Sequence, residues 1–151
     1  MEKITKTNKT LKEIARDIRM ELKKEFPECK FSVRTEYYSM GQALHISLLS
    51  GNFQAITGKI VYDYENSIET PRIVACDKQY AQLSQFHLKD YSDGINNGVV
   101  LTIKAWEAMR RAYELTLKDN WDHSDPMTDY YSVNFALHLN IGCWDKPFTI
   151  V

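Results

Sequence analysis

Apolar positions recur along this chain with two different periods. Leu11, Ile14, Ala15, Ile18, Leu22 and Phe26 follow the 3.6-residue repeat of a half-buried helix. Thr10 and Glu13 precede it with capping-box spacing. Pro27 ends it, because the residue before a proline avoids the helical region. From Lys30 the period shortens to two. Phe31, Val33, Thr35 and Tyr37 alternate with Ser32, Arg34, Glu36 and Tyr38, which predicts a strand over residues 30–38. A turn at 39–42 leads to a second strand over 43–49, with Leu44, Ile46 and Leu48 on one side and His45 and Ser47 on the other. The two read as an antiparallel hairpin.

The middle of the chain is less regular. Residues 57–64 read as a strand with a defect at Gly58, 66–71 as a loop, and 72–76 and 80–88 as short strands. Residues 90–98, rich in Gly, Asn and Asp, read as an exposed loop. Periodicity then returns. Thr102 caps a second helix whose stripe is Trp106, Met109, Tyr113 and Leu117, widened by Ala105 and Ala112. After a polar loop over 119–128, Val133, Phe135, Leu137, Leu139 and Ile141 alternate with Asn134, Ala136, His138 and Asn140 in a last strand. Two helices are too few for a doubly wound parallel sheet. The expectation is one α+β domain over 1–151, with residues 1–9 frayed. Its antiparallel sheet would be covered on one face by the two helices.

Length and composition agree with this. The 151 residues suffice to bury a core, and 44% hydrophobic with 26% charged residues is ordinary for a globular protein. No apolar run approaches the ~18 residues of a membrane span, and no secretory signal is visible, so no membrane partner is expected. The three cysteines (Cys29, Cys76, Cys143) are odd in number and widely spaced, which fits a reducing host cytoplasm.

Charge changes the picture. The net charge of -1 hides a basic front: residues 1–34 hold ten Lys+Arg against six Asp+Glu, leaving -5 for the rest. Residues 119–145 contain Asp119, Asp122, Asp125, Asp129 and Asp145, the histidines His123 and His138, and no Lys or Arg. Such asymmetry bears on partners more than on fold. Clustered carboxylates can occupy Arg/Lys sites that otherwise hold phosphates, so these five aspartates are candidate partner-binding residues. Asp122, His123, Asp125 and Asp129 lie within eight residues and are candidate ligands for one divalent metal ion, zinc rather than calcium if histidine takes part. The plainer reading of the same loop is a solvated turn whose Asp and Ser side chains bond local amides.

On the first helix, Lys12, Arg16, Arg19 and Lys23 step by four, three and four and line one face. Lys30 and Arg34 extend it. This face can meet phosphates, with Tyr37 and Tyr38 nearby for stacking. Glu13, Asp17, Glu21 and Glu25 run along the adjacent face and dilute the field, so a solvated, salt-bridged helix is the alternative. His45 and His138 both lie on the polar sides of their strands. Should those strands be neighbours, the imidazoles form a cross-strand pair able to serve metal or acid–base chemistry; exposed surface histidines are the plain alternative. No P-loop, GxGxxG, GxSxG or HExxH is present.

The run Ile14-Ala15-x-x-Ile18-Arg19-x-Glu21-Leu22-Lys23-x-x-Phe26-Pro27, followed by Lys30-Phe31-Ser32-Val33-Arg34 and a glycine turn into a strand, resembles the large polyvalent protein-associated domain of class twenty-nine. This resemblance covers about residues 10–55. A second, over about 100–148, rests on Ser124-Asp125-x-Met127-Thr128-Asp129-Tyr130, His138–Gly142 and Trp144–Phe148, and is to small phage and conjugative-element proteins that carry the domain. The family's Trp-x-Asp-Gly-Pro turn after the second strand is replaced here by Leu48-Leu49-Ser50-Gly51-Asn52. The resemblance implies a phage or mobile-element origin and no catalytic residues. The expectation it carries is a non-enzymatic, anti-CRISPR-like protein that binds and inhibits a host nucleoprotein complex such as a CRISPR effector. The alternatives are a nucleic-acid-binding accessory protein, working through Lys12, Arg16, Arg19 and Lys23, and a metal-dependent hydrolase.

Overall fold

The computed structural model of the chain describes residues 9–65, 68–76, 78–88, 91, 94–122, 127 and 133–151; for 63–65 and 68–70 it describes the backbone alone. Helix α1 spans Leu11–Glu25. Thr10 Oγ accepts from the Glu13 amide at 3.2 Å, which satisfies one orphan donor of the first turn. Its buried side is Leu11, Ile14, Ala15, Ile18 and Leu22, the stripe that the periodicity predicts. Strands β1 (Lys30–Tyr38) and β2 (Gly41–Gly51) form the expected antiparallel hairpin.

The partner of β2 on its other side is β8 (Ala136–Ile141), and that pairing is parallel. Strand β5 (Ala81–Leu83) adds antiparallel to β8, giving the order β1-β2-β8-β5, and the short β9 (Thr149–Ile150) extends β2. The α+β class holds, while this sheet is mixed rather than antiparallel throughout. The physical reason is the return path. The chain leaves β2, builds a second sheet and helix α2 (Ile103–Leu117), and re-enters β8 from the same end.

The second sheet has the order β4-β3-β7-β6, all antiparallel. Its members are β3 (Ile56–Glu65), β4 (Ile68–Ala75), β6 (Ile95–Asn96) and β7 (Val99–Leu101). Three sequence expectations are corrected here. The loop expected over 66–71 gives way to β4 from Ile68 onwards. The strand expected over 80–88 is β5 followed by a 3-10 turn at Gln85–Leu88. The loop expected over 90–98 contains β6 and a two-residue turn, Asn97 (φ 50°) and Gly98 (φ 88°), the left-handed pair that a tight hairpin requires. The Gly58 defect is a register shift in β3 against β7.

One core joins the layers. It runs from Ile14, Ile18 and Leu22 on α1 through Leu44, Ile46, Leu48, Leu139 and Ile141 on the sheet to Ala105, Met109 and Ala112 on α2. Helix α1 lies on β1 and β2, and α2 packs on α1 and on the 3-10 turn. The expected α2 stripe is displaced: Leu117 is 41% exposed, and Ala108, Leu115 and Thr116 are buried instead. Asn96, fully buried, ties the two sheets together. Its Oδ1 accepts from the Ser84 amide at 2.7 Å, and its Nδ2 donates to the Ser84 carbonyl at 2.9 Å. No helix among the described residues is long and apolar enough to cross a membrane.

Candidate functional site

Alternation sends Val33, Ile46 and Leu139 into the core, so their neighbours Arg34, His45 and His138 emerge on the opposite face of the sheet. Pairing register then aligns these three in one cross-strand row. Ser47, Asn140 and Gln82 form a second row two residues along. The sheet face thereby becomes the floor of an open polar groove of about 450 Å³. Its rim includes Glu36, Tyr80, Cys143 and Trp144.

The histidines meet as the sequence allows. Their rings stack at 4.6 Å between centroids with planes 12° apart. His45 Nε2 lies 3.2 Å from Glu36 Oε1, which orients that ring. His138 has its pKa pressed below the usual 6.5, first by burial and then by the neighbouring His45 charge, with Glu36 pulling the other way. The groove thus offers imidazole donors beside one guanidinium, and Arg34 forms no ion pair among the described residues.

The groove's rim is held by backbone bonds where Trp144 stands. Gly142 (φ 64°) opens the turn with its amide on the Leu48 carbonyl at 2.7 Å. Cys143 and Lys146 exchange two backbone bonds, at 2.8 and 3.1 Å, and the Phe148 amide donates to Gln79 at 2.8 Å. A Cβ on Gly142 would sit 2.6 Å from both the Gln79 carbonyl oxygen and the Phe148 nitrogen. The chain can therefore pass only as glycine. This turn holds Trp144 out at 82% exposure. Periodicity could not reveal Trp144 as a site residue, because it lies between elements. The available signal was a tryptophan enclosed by Gly142 and Pro147, both turn formers.

The basic face of α1 is also as expected. Lys12, Arg16, Arg19 and Lys23 are all exposed on one flank, against edge strand β1. Arg19 Nη2 donates to the Val33 carbonyl at 2.7 Å, which caps an open backbone acceptor on that edge. Lys12, Arg19 and Arg34 line one shallow depression, and Arg34 also lines the groove. The acidic flank is partly neutralised: Asp17 pairs with Lys9 at 3.0 Å and Glu25 with Arg111 at 2.9 Å. Tyr37 and Tyr38 are half exposed at the end of β1.

The acidic segment is less united. Asp119 is only 6% exposed at the end of α2, so it adds little to an outward surface. Asp122 is exposed and bridges to Val133, and Asp145 is exposed on the Trp144 turn. His123, Asp125 and Asp129 lie outside the described residues, so of the candidate metal ligands only Asp122 is placed. Among the described residues no group of three or more His, Cys, Asp or Glu is arranged to hold a metal ion. Cys29, Cys76 and Cys143 are free thiols, and burial with the nearby Glu28 pushes Cys29 up to about 11.

No curated protein and no solved structure matches this chain. A family model does match, over residues 9–99. The match contains the helix and hairpin on which the resemblance rests and continues through the middle of the chain, where none was read. It stops short of the stretch over 100–148 and so leaves that second resemblance untouched. With more than half its length matched, the chain belongs to the family described as large polyvalent protein associated domain 29, and it is a phage- or mobile-element-associated protein.

Proposed function

We propose that the protein is a non-enzymatic accessory module that docks a nucleic-acid backbone on the flank of α1. The observation that carries this reading is the sorting of charge around that helix. Asp17 and Glu25 are drawn into pairs with Lys9 and Arg111, while Lys12, Arg16 and Lys23 have no ion pair among the described residues. Lys12, Arg16 and Lys23 therefore face solvent, while two carboxylates of the acidic flank, Asp17 and Glu25, are bonded to Lys9 and Arg111. Exposed Lys and Arg at this spacing suit phosphates, whose contacts release counterions and make binding salt-dependent. The test is a gel shift with duplex DNA across a salt series. Each phosphate contact contributes a slope of about -0.9 in log K against log salt. Charge reversal at Lys12, Arg16 and Lys23 should abolish the shift; no retardation of the parent protein at low salt would reject the reading.

A second reading keeps the chain as an anti-CRISPR-like inhibitor of a host nucleoprotein complex. Asp122 and Asp145 are exposed and favour it, the latter on the same turn as Trp144. Here the acidic segment imitates a polyanion on a basic groove. Competition between the protein and DNA for a CRISPR effector tests it. Neutralising Asp122, Asp125, Asp129 and Asp145 together should relieve that competition, and an unchanged inhibition would reject it.

A further inference from the structure

We propose that the groove on the open face of the mixed sheet binds a nucleoside phosphate, either free or as a unit of a single strand. The inference goes beyond the α1 surface, since it concerns a different face with different chemistry. The volume of about 450 Å³ falls within the range of small-ligand sites. Its lining mixes polar side chains with Leu83 and Leu137, which suits a ligand that has both a charged part and a flat apolar part.

The residues divide by chemistry as the parts of a nucleotide do. Arg34 and the stacked His45 and His138 lie in one row, so the Arg34 guanidinium and the His138 imidazole can present N–H donors to a single anionic group, while His45 holds Glu36 through Nε2. One fixed cation suits one phosphate better than a polyphosphate. Glu36, already anchored by His45 at 3.2 Å, is an acceptor for sugar hydroxyls. Trp144 supplies a flat apolar platform at the rim, and a base stacked there gains about 1–3 kcal/mol. The Asn140 amide on the floor can pair with a base edge. The backbone bonds of the turn fix where the indole stands on the rim.

Isothermal titration calorimetry of the whole chain tests this with four probes: adenosine 5′-monophosphate, adenosine, inorganic phosphate and a short single-stranded oligoadenylate. The monophosphate or the oligonucleotide should bind saturably, with adenosine and phosphate at least about tenfold weaker. Binding of the oligonucleotide alone assigns the strand as source, and binding of the monophosphate assigns the free nucleotide. His138→Asn and Trp144→Ala should each weaken binding at least about tenfold with melting unchanged. Trp144→Phe keeps a flat ring and should retain most of the affinity. No heat from any nucleotide at millimolar concentration, or parental affinity in His138→Asn and Trp144→Ala, would overturn the proposal. A failed gel shift would leave this titration intact, because a mononucleotide engages the groove alone.

Discussion

His45 and His138 are direct partners across the parallel pair β2–β8, their rings 4.6 Å apart and 12° from parallel. A charge on His45 disfavours the cation of His138 beside it. Glu36 on β1 touches His45 and Arg34 shares the row, so the local field is set by four groups from three strands. That coupling makes the site's protonation measurable.

His138 should titrate below 6.5 by nuclear magnetic resonance, since burial first and the His45 charge second both disfavour its cation. His45→Asn should raise its midpoint and Glu36→Gln should lower it. The sign for stability follows. Between the two pKa values the unfolded chain binds more protons than the native one, so stability rises with pH there. His138 thus leaves stability intact above pH 6.5 and lowers it as pH falls from 6.5 through the folded pKa. Denaturant titrations of His138→Asn should show a flatter pH dependence in that window.

Gly142→Ala should destabilise the protein by about 1–3 kcal/mol, the cost of a strained left-handed residue, with more added by backbone collision. The Cβ has nowhere to go, with backbone atoms of Gln79 and Phe148 each at 2.6 Å. Chemical denaturation measures the loss. Trp144 fluorescence in a variant lacking Trp106 and Trp121 reports whether the turn has moved.

Asn96→Ala should cost about 1–2 kcal/mol, because it leaves the part-buried Ser84 amide without its partner and removes one of two donors to the Ser84 carbonyl, the other being the His87 amide. Asn96→Asp should not restore the loss, since the carboxylate cannot donate to the Ser84 carbonyl. Amide hydrogen exchange at Ser84, faster in both variants, distinguishes this from a general loosening.

The Glu25–Arg111 pair joins α1 to α2, yet both side chains stay about a third exposed. A double-mutant cycle should give a coupling of about 1 kcal/mol or less, reduced by salt. Leu22→Ala or Met109→Ala, at fully buried positions on the same two helices, should instead cost about 2–5 kcal/mol. Equal effects from the ion pair and the core positions would contradict this ranking.

Some of the molecule was legible in the pattern alone. Helix α1, strands β1 and β2, helix α2 and the body of β8 follow from period and caps, because each element's burial is set by neighbours within a few residues. The basic row Lys12, Arg16, Arg19 and Lys23 was legible for the same reason: helical geometry places it on one face whatever surrounds it. The Asn97-Gly98 turn was also written locally, although its short flanking strands carry too few positions to show an alternation.

The groove was decided elsewhere. Separation in sequence hides that His45 and His138 are neighbours, since alternation fixes the face of each strand but not its partner or direction. Strand pairing brought them together, added Arg34 from one side and Asn140 with Gln82 from the next row. Asp119 shows the converse. Local composition placed it in an acidic surface, and packing at the end of α2 buried it. The sequence therefore determined the elements and their faces, through contacts of short range. The tertiary structure alone determined which faces meet, because that choice depends on long-range pairing and on how the whole core closes.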